Sequence, residues 1–591
     1  MLLETSLHLF FENQTMSTPQ PLLKIRNLKI AFKHENNWQT VVRGVDFDAF
    51  RNQTLSIVGE SGSGKSVSLL AIMKLLNHHT TRIEADEILF DNIDLLHKDQ
   101  KQMQTIRGKR ISMIFQEPMT SLNPVFKCGF QVAEAIKTHE KLPKTILKKR
   151  VISLFEQVKL PRPETIYHSY PHELSGGQKQ RVMIAMALAC NPDLLIADEP
   201  TTALDVTVQK EILKLLKNLQ RQTGMAMIFI THDLGVVAEI ANTVAVMNKG
   251  ILVEKGKVDE ILNHPKHPYT QGLLNCRPPL NVRLKRLPTI RDFMENHWAE
   301  KDYLHNLMIN PNDRKTHLDN LYQQQPLLSV KELKTWFPTQ KNFLGKPTNF
   351  VKAVNKVSFD VYPGETLGLV GESGSGKTTL GRSILRLIEP SGGHIYFEGS
   401  EITAFSNNEM RRFRKHIQLI FQDPYSSLNP RITIGDAIAE PLLVHKLETN
   451  KQKRKQKVCE LLEQVGLETS HYNRYPHEFS GGQRQRICIA RALAVNPKLI
   501  VCDESVSALD VSVQAQVLNL LNSLKQKFGF TFIFISHDLS VVRYMSDRIL
   551  VMYDGKIIEL AEADTLFNNP KMPYTRKLIE ALPGKHTPFH S

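Results

Sequence analysis

The octapeptide GESGSGKS occupies Gly59–Ser66, and GESGSGKT occupies Gly371–Thr378. A GxxxxGK[ST] stretch works as a turn between a buried strand and a helix. Its glycines let backbone N–H groups turn inward and approach phosphate oxygens, and the following helix adds its positive end. Each copy follows an apolar segment, TLSIVGE or TLGLVGE, and precedes an amphipathic one. In this pattern Lys65 and Lys377 reach the β- and γ-phosphates of a nucleotide, and Ser66 and Thr378 offer a hydroxyl to Mg2+. The candidate cradle is Gly59, Glu60, Ser61, Gly62, Ser63, Gly64, Lys65 and Ser66. Its second copy is Gly371, Glu372, Ser373, Gly374, Ser375, Gly376, Lys377 and Thr378.

The duplication extends far beyond these loops. Lys65 and Lys377 stand 377 − 65 = 312 residues apart, and Gln116 and Gln422 stand 306 apart. Ser175 and Ser480, Asp198 and Asp503, and His232 and His537 are each separated by 305 residues. An offset that drifts in loops and then holds marks a tandem copy of one large unit, not a solenoid of short repeats. The expected division is an N-terminal extension over 1–21, a first unit over 22–275, a linker over 276–326 and a second unit over 327–591. The linker is rich in Pro, Asn, Asp and His, without a heptad, and reads as a crossing segment that is partly ordered at most. Within the units, RISMIFQ, LLIAD and MAMIFIT have counterparts in IQLIFQ, LIVCD and FTFIFIS. Such uniformly apolar strands, alternating with long helices, predict an α/β fold with a largely parallel sheet buried on both faces.

Two of these strands end in adjacent carboxylates, Asp198-Glu199 and Asp503-Glu504. Acids at the carboxyl edge of an open α/β sheet stand where such sheets bind ligands. Asp198 and Asp503 are expected to hold Mg2+, and Glu199 and Glu504 to orient and polarise an attacking water. His232 and His537 follow the next strand and are candidate γ-phosphate contacts. Gln116 and Gln422 end another strand and are candidate sensors of Mg2+ and the attacking water.

Composition bounds the setting. Hydrophobic residues make up 41% of the 591, enough for several cores, yet no apolar run approaches the ~20 residues of a membrane-spanning helix. The opening MLLETSLHLFF is too short to span and lacks the marks of a secretory signal, and Met16 is an alternative initiator. Six cysteines without a CxxC pair fit a reduced compartment. The net charge of +15 admits nucleic acid, anionic lipid or an acidic partner. Its two densest runs, Lys141–Arg150 and Asn450–Lys457, read as solvated helix faces. Neither interleaves aromatics, so no stacking platform and no direct nucleic-acid binding is expected.

LSGGQKQR (Leu174–Arg181) and FSGGQRQR (Phe479–Arg486) resemble the signature sequence of ATP-binding cassette (ABC) proteins. With the ALD segments Ala203–Asp205 and Ala508–Asp510, the resemblance covers nearly the whole chain twice. It implies two tandem P-loop ATPase domains, each with a mainly parallel core sheet, an antiparallel β subdomain and a helical signature subdomain. It further implies that two ATP molecules lie between cassettes closed head to tail. Ser480, Gly481, Gly482 and Gln483 would then complete the site of Lys65, and Ser175, Gly176, Gly177 and Gln178 that of Lys377. An aromatic ahead of the first sheet stacks on adenine in this family, and Phe32 and Phe337 stand at that position.

FQEPMTSLNP, FQDPYSSLNP and the segments HPKHPYTQGLL and NPKMPYTRKLI resemble oligopeptide, dipeptide and nickel importers, here fused as in glutathione import ATPases. The implied protein is an ATP-hydrolysing, energy-coupling subunit on the cytoplasmic side of the inner membrane. It would serve two permease subunits and an extracytoplasmic binding protein, with the surface near Gln116, Gln422 and SLNP as the dock. Some relatives carry a cysteine-rich iron–sulfur tail, but Cys276 alone lies near the first tail motif, so no cluster is expected. The competing class is a soluble tandem-cassette ATPase acting on the ribosome. That class joins its cassettes by a long charged helical hairpin, unlike this linker.

Overall fold

The computed structural model describes residues 20–35, 37–116, 121–201, 204–295, 303–341, 347–507 and 509–582. These divide into two compact units, one within 1–204 and 211–270, the other within 205–210 and 271–591. All but Gln20 and Pro21 of the expected N-terminal extension lies outside the described residues.

In the first unit, β1 (Leu23–His34) and β2 (Asn37–Ala49) pair antiparallel, and β1 also takes Thr81–Glu84 and Glu87–Phe90 as antiparallel neighbours. The core sheet holds β3 (Thr54–Val58), β4 (Ile111–Ile114), β5 (Leu194–Asp198), β6 (Ala226–Thr231), β7 (Thr243–Asn248) and β8 (Ile251–Lys257). Its order is β8-β7-β3-β6-β5-β4, parallel throughout except for the terminal β7–β8 hairpin. Every residue of β3, β5 and β6 is buried, as strands covered on both faces must be.

The second unit repeats this plan. β9 (Leu328–Lys341) pairs antiparallel with β10 (Pro347–Val361) and with Gly392–Phe397. Then follow β11 (Thr366–Val370), β12 (Ile417–Ile420), β13 (Leu499–Asp503), β14 (Thr531–Ile535), β15 (Arg548–Tyr553) and β16 (Lys556–Glu562), ordered β12-β13-β14-β11-β15-β16. The two basic runs fall in the helices Lys144–Gln157 and Lys451–Gln464, the second N-capped by the Asn450 side chain. Their cores turn inward through Val151 and Phe155 and through Val458 and Leu462, leaving the lysines on the solvent side.

The segment expected to be a partly ordered linker is instead built into the second unit. It forms helices over Ile290–Met294, Tyr303–Leu307 and Pro311–Tyr322. Cys276, Leu284 and Leu287 enter the core that also contains Leu521 and Val542. Asn519 grips the Leu287 peptide from both sides, accepting from its N–H at 2.8 Å and donating to its carbonyl at 2.9 Å. Arg314 lies 3.3 Å from Asp547, 3.0 Å from Glu562 and 3.3 Å from Asp564, and Arg283 lies 3.5 Å from Asp564. These partners are more than 200 residues away in sequence. No local periodicity announces them, which is why a Pro- and Asn-punctuated stretch reads as a loose connection.

Candidate functional site

Strand register assembles the site. In the first unit Val58 is level with Thr231, and Asp198 is level with Ile230. Residues that follow these positions therefore emerge on one sheet edge: the loop from Gly59, the acids from Asp198, and His232. In the second unit Leu369 and Asp503 both pair with Ile535, giving the same edge.

The glycine loops are shaped by steric exclusion. Gly59 and Gly371 both have φ of +152°, and a Cβ there would lie 2.1 Å from the Met247 carbonyl oxygen or 2.3 Å from that of Met552. The Lys65 ammonium donates to the Gly59 and Glu60 carbonyls, each at 2.8 Å. Lys377 does the same to Gly371 at 2.7 Å and Glu372 at 2.9 Å. Burial lowers the Lys377 pKa, against the pull of the surrounding carboxylates, Glu504 first.

The two carboxylates of each pair do different things. Ser66 Oγ donates to Asp198 Oδ1 at 2.9 Å, and Thr378 Oγ1 donates to Asp503 Oδ1 at 2.9 Å. Burial pushes Asp198 up to about 6 and raises Asp503. Glu199 and Glu504 adopt left-handed backbone with φ of 47°, a conformation that costs a non-glycine residue roughly 1–3 kcal/mol and clusters at functional sites. The ladder holds them there: the Glu199 N–H donates to Ile230 O at 3.1 Å, and the Glu504 N–H to Ile535 O at 3.0 Å. Gln116 Nε2 donates to Glu199 Oε2 at 3.3 Å, and Gln422 Nε2 to Glu504 Oε2 at 2.9 Å. His232 Nδ1 lies 3.3 Å from Glu199 Oε2, and His537 Nδ1 lies 3.4 Å from Glu504 Oε2. Burial works against both charges of the second pair, but their mutual attraction outweighs it, so Glu504 is lowered and His537 raised. Glutamine, glutamate and histidine thus converge at each strand edge.

The donor set fits a nucleotide with a divalent cation. Ser63 Oγ and Ser375 Oγ are buried without a hydrogen-bond partner among the described residues, inside loops whose N–H groups suit phosphate. Asp503 Oδ2 is likewise buried without a hydrogen-bond partner among them, 3.7 Å from the Arg382 guanidinium. Leu70 stands at the equivalent position of the first copy, so the arginine is a difference between the halves that residue matching alone did not bring out.

The SGGQ segments start helices. Ser175 caps Gly176–Leu188 and exchanges capping bonds with Gln178, and Ser480 caps Gly481–Leu493 in the same way with Gln483. The candidate adenine aromatics differ from each other. Phe32 packs against the first unit's core, whereas Phe337 is 39% exposed opposite Val351. Ala203 and Ala508 of the ALD segments, and Glu117–Thr120 beyond Gln116, lie outside the described residues.

The family described as ABC transporter matches residues 42–202 and 354–507. The oligopeptide/dipeptide transporter C-terminal region matches 253–298 and 558–589. The chain is 50% identical over 570 residues to the glutathione import ATP-binding protein GsiA of Escherichia coli (strain K12), covering 95% of this chain and 89% of that protein. It is 47% identical over 588 residues to GsiA of Pectobacterium atrosepticum, covering 96% and 92%. A solved dimer of the ATP-binding cassette MJ0796 with ADP and Pi is 28% identical, covers 40% of this chain and 98% of its own, and has a TM-score of 0.37.

Proposed function

The chain belongs to the ABC transporter family as the ATP-binding, ATP-hydrolysing subunit of an importer, and we propose that its cargo is a small peptide of the glutathione class. The observation that carries this reading is the identity to glutathione importers along 95% of the chain. The ribosomal alternative is not supported, because the relatives are importers and both halves carry the transporter C-terminal region. No helix among the described residues is long and apolar enough to cross a membrane. The relatives' role as import ATP-binding subunits implies membrane permease partners, proposed here as two subunits fed by an extracytoplasmic binding protein, with this chain peripheral on the inner face of the membrane.

The proposed chemistry uses the two strand edges. Lys65 and Lys377 bind and orient the terminal phosphates, and the loop N–H groups cradle them. Ser66 with Asp198, and Thr378 with Asp503, would hold Mg2+, which supplies charge stabilisation to the transferring phosphoryl group. Glu199 and Glu504 orient and polarise the attacking water, steadied by Gln116 and His232 or by Gln422 and His537. Following the family resemblance, Ser480, Gly482 and Gln483 complete the site of Lys65, and Ser175, Gly177 and Gln178 that of Lys377. The free N–H groups of each signature helix start suit a γ-phosphate. A Ser175→Arg variant that hydrolysed ATP at the full rate would overturn that pairing.

The proposed permease dock in the second unit is a cleft of about 620 Å³. Leu387, Phe421, Val444 and Arg491 line it together with Ser426 and Ser427 of the FQDPYSSLNP segment. In the first unit Phe115, Val125, Phe126 and Phe130 are exposed, with the Phe126 and Phe130 rings 5.2 Å apart, and they are proposed as the counterpart. Exposed apolar surface gathered in a patch marks an interaction site. A Val444→Glu variant is expected to lose co-purification with the permeases while its basal ATPase activity is kept. The overall function is tested by deleting the gene and measuring uptake of labelled glutathione and of dipeptides. Unchanged uptake of both would reject the cargo assignment.

A further inference from the structure

The PYT segments carry no role in the chemistry above, yet they reach the phosphate loops. The Glu60 N–H donates to the Tyr269 hydroxyl at 3.0 Å, and the Glu372 N–H donates to the Tyr574 hydroxyl at 2.9 Å. Each contact lies within one unit, and it recurs in both. We propose that Tyr269 and Tyr574 are positioning residues that fix the first peptide of each phosphate loop in its nucleotide-binding orientation.

The tyrosines are themselves held. Glu254, on β8, accepts from the Lys266 N–H at 2.8 Å and from the His267 N–H at 3.2 Å. Glu559, on β16, accepts from the Lys571 N–H at 2.9 Å and the Met572 N–H at 3.2 Å, and takes the Thr575 hydroxyl at 2.5 Å. A carboxylate clamp thus fixes the entry to the helices Pro268–Asn275 and Pro573–Glu580, where the tyrosines stand second. Tyr269 is 1% exposed, and the Tyr574 ring packs 4.5 Å from that of Tyr553. Burial raises the Tyr574 pKa to about 12, keeping its hydroxyl protonated.

The first peptide of each loop is engaged at both of its polar groups. Its N–H goes to the tyrosine, and its carbonyl, that of Gly59 or Gly371, accepts from Lys65 at 2.8 Å or Lys377 at 2.7 Å. When the lysine turns to a phosphate it releases that carbonyl, and the tyrosine still holds the N–H. The glycine just before has no side chain to restrict rotation of this peptide, so an external hydrogen bond is what selects one orientation. Pre-organisation of this kind acts on affinity, because less ordering is left to the moment of binding. The transporter C-terminal region is then, in part, a support of each unit's own nucleotide site.

This inference rests on the phosphate loops being the nucleotide sites, and the test separates the two. MANT-ADP titration and steady-state ATPase assays would be run on the full chain carrying Tyr269→Phe, Tyr574→Phe or both. One hydrogen bond lost without loss of packing predicts a Kd for MANT-ADP raised about 3- to 10-fold in the double variant. KM for ATP should rise by the same factor, with kcat changed less than about twofold. Each single variant should give a biphasic titration in which one of two sites is weakened. Glu254→Gln with Glu559→Gln, which keeps both hydroxyls but loosens the clamp, should shift the Kd in the same direction. An unchanged Kd in the double tyrosine variant overturns the proposal. So does a fall in the unliganded thermal midpoint with the Kd unchanged, which would assign the hydroxyls to packing alone. Lys65→Ala with Lys377→Ala is the control for the premise: MANT-ADP binding that survives it would reject the loops as nucleotide sites, not the tyrosines as their support.

Discussion

Glu199→Gln together with Glu504→Gln is expected to lower ATP turnover about 10²- to 10⁴-fold, the usual worth of a positioned general base. Each single substitution should lower it substantially. Glutamine keeps the size of the side chain and can occupy the same left-handed backbone, so the strained turn at φ of 47° is retained. What is lost is the carboxylate on which the glutamine amide and the histidine converge at 2.9 Å and 3.4 Å in the second unit. Nucleotide binding should survive, because the lysine, the hydroxyl and the loop N–H groups are untouched. Phosphate-release kinetics beside MANT-ATP titration separate the two effects. Full activity in either single variant would mean that the two halves are not both working sites.

Arg314→Met should destabilise the second unit by about 3 kcal/mol, the lower end of the cost of stranding buried partner charges. Arg314 is 12% exposed and faces three carboxylates, of which Asp547 is 6% exposed. Burial alone would raise Asp547, but Lys525, His317 and Arg314 hold it well below the usual carboxylate range. Asp564 is likewise held low against burial by Arg283, Arg543 and Arg314. A carboxylate whose folded pKa is depressed adds stability above its unfolded pKa, near 3.9, and that stability is lost as pH falls through the folded value. The deficit of the variant should therefore be full at pH 7 and shrink below about pH 4, where the stranded acids can take up protons. Thermal midpoints across this range, with limited proteolysis of residues 276–326, would read both. A midpoint matching wild type at pH 7 would show that the ion network does not anchor the segment.

Much of the site could be read from residue types and spacing. Two glycine loops, two acid pairs and two SGGQ segments sit at nearly constant offsets. Each behaves locally as its chemistry requires: the loops cap helices at Lys65 and Lys377, and the serines cap theirs. The linker could not be read this way, because its order comes from Arg283 and Arg314 finding acids far along the chain. The two copies do offer a hint in retrospect. Asn242 binds the Thr54 N–H in the first unit, where Asp547 binds the Thr366 N–H in the second. The same hydrogen bond is made by a charged residue in the unit that must also hold two buried arginines.

The sequence by itself therefore determined the duplicated α/β fold, the phosphate loops and the acids at the strand ends. These depend on short-range rules: glycine conformations, buried apolar runs and helix starts. Tertiary structure alone decided which groups meet. Strand register brought Gln422, Glu504 and His537 together, put a tyrosine from a distant segment against each phosphate loop, and folded a polar connection into the second unit. Contacts of this kind join residues from 33 positions apart, as Glu504 and His537 are, to 564 − 283 = 281 apart, as Arg283 and Asp564 are, and they follow from how strands align and charges are buried, which no local pattern encodes.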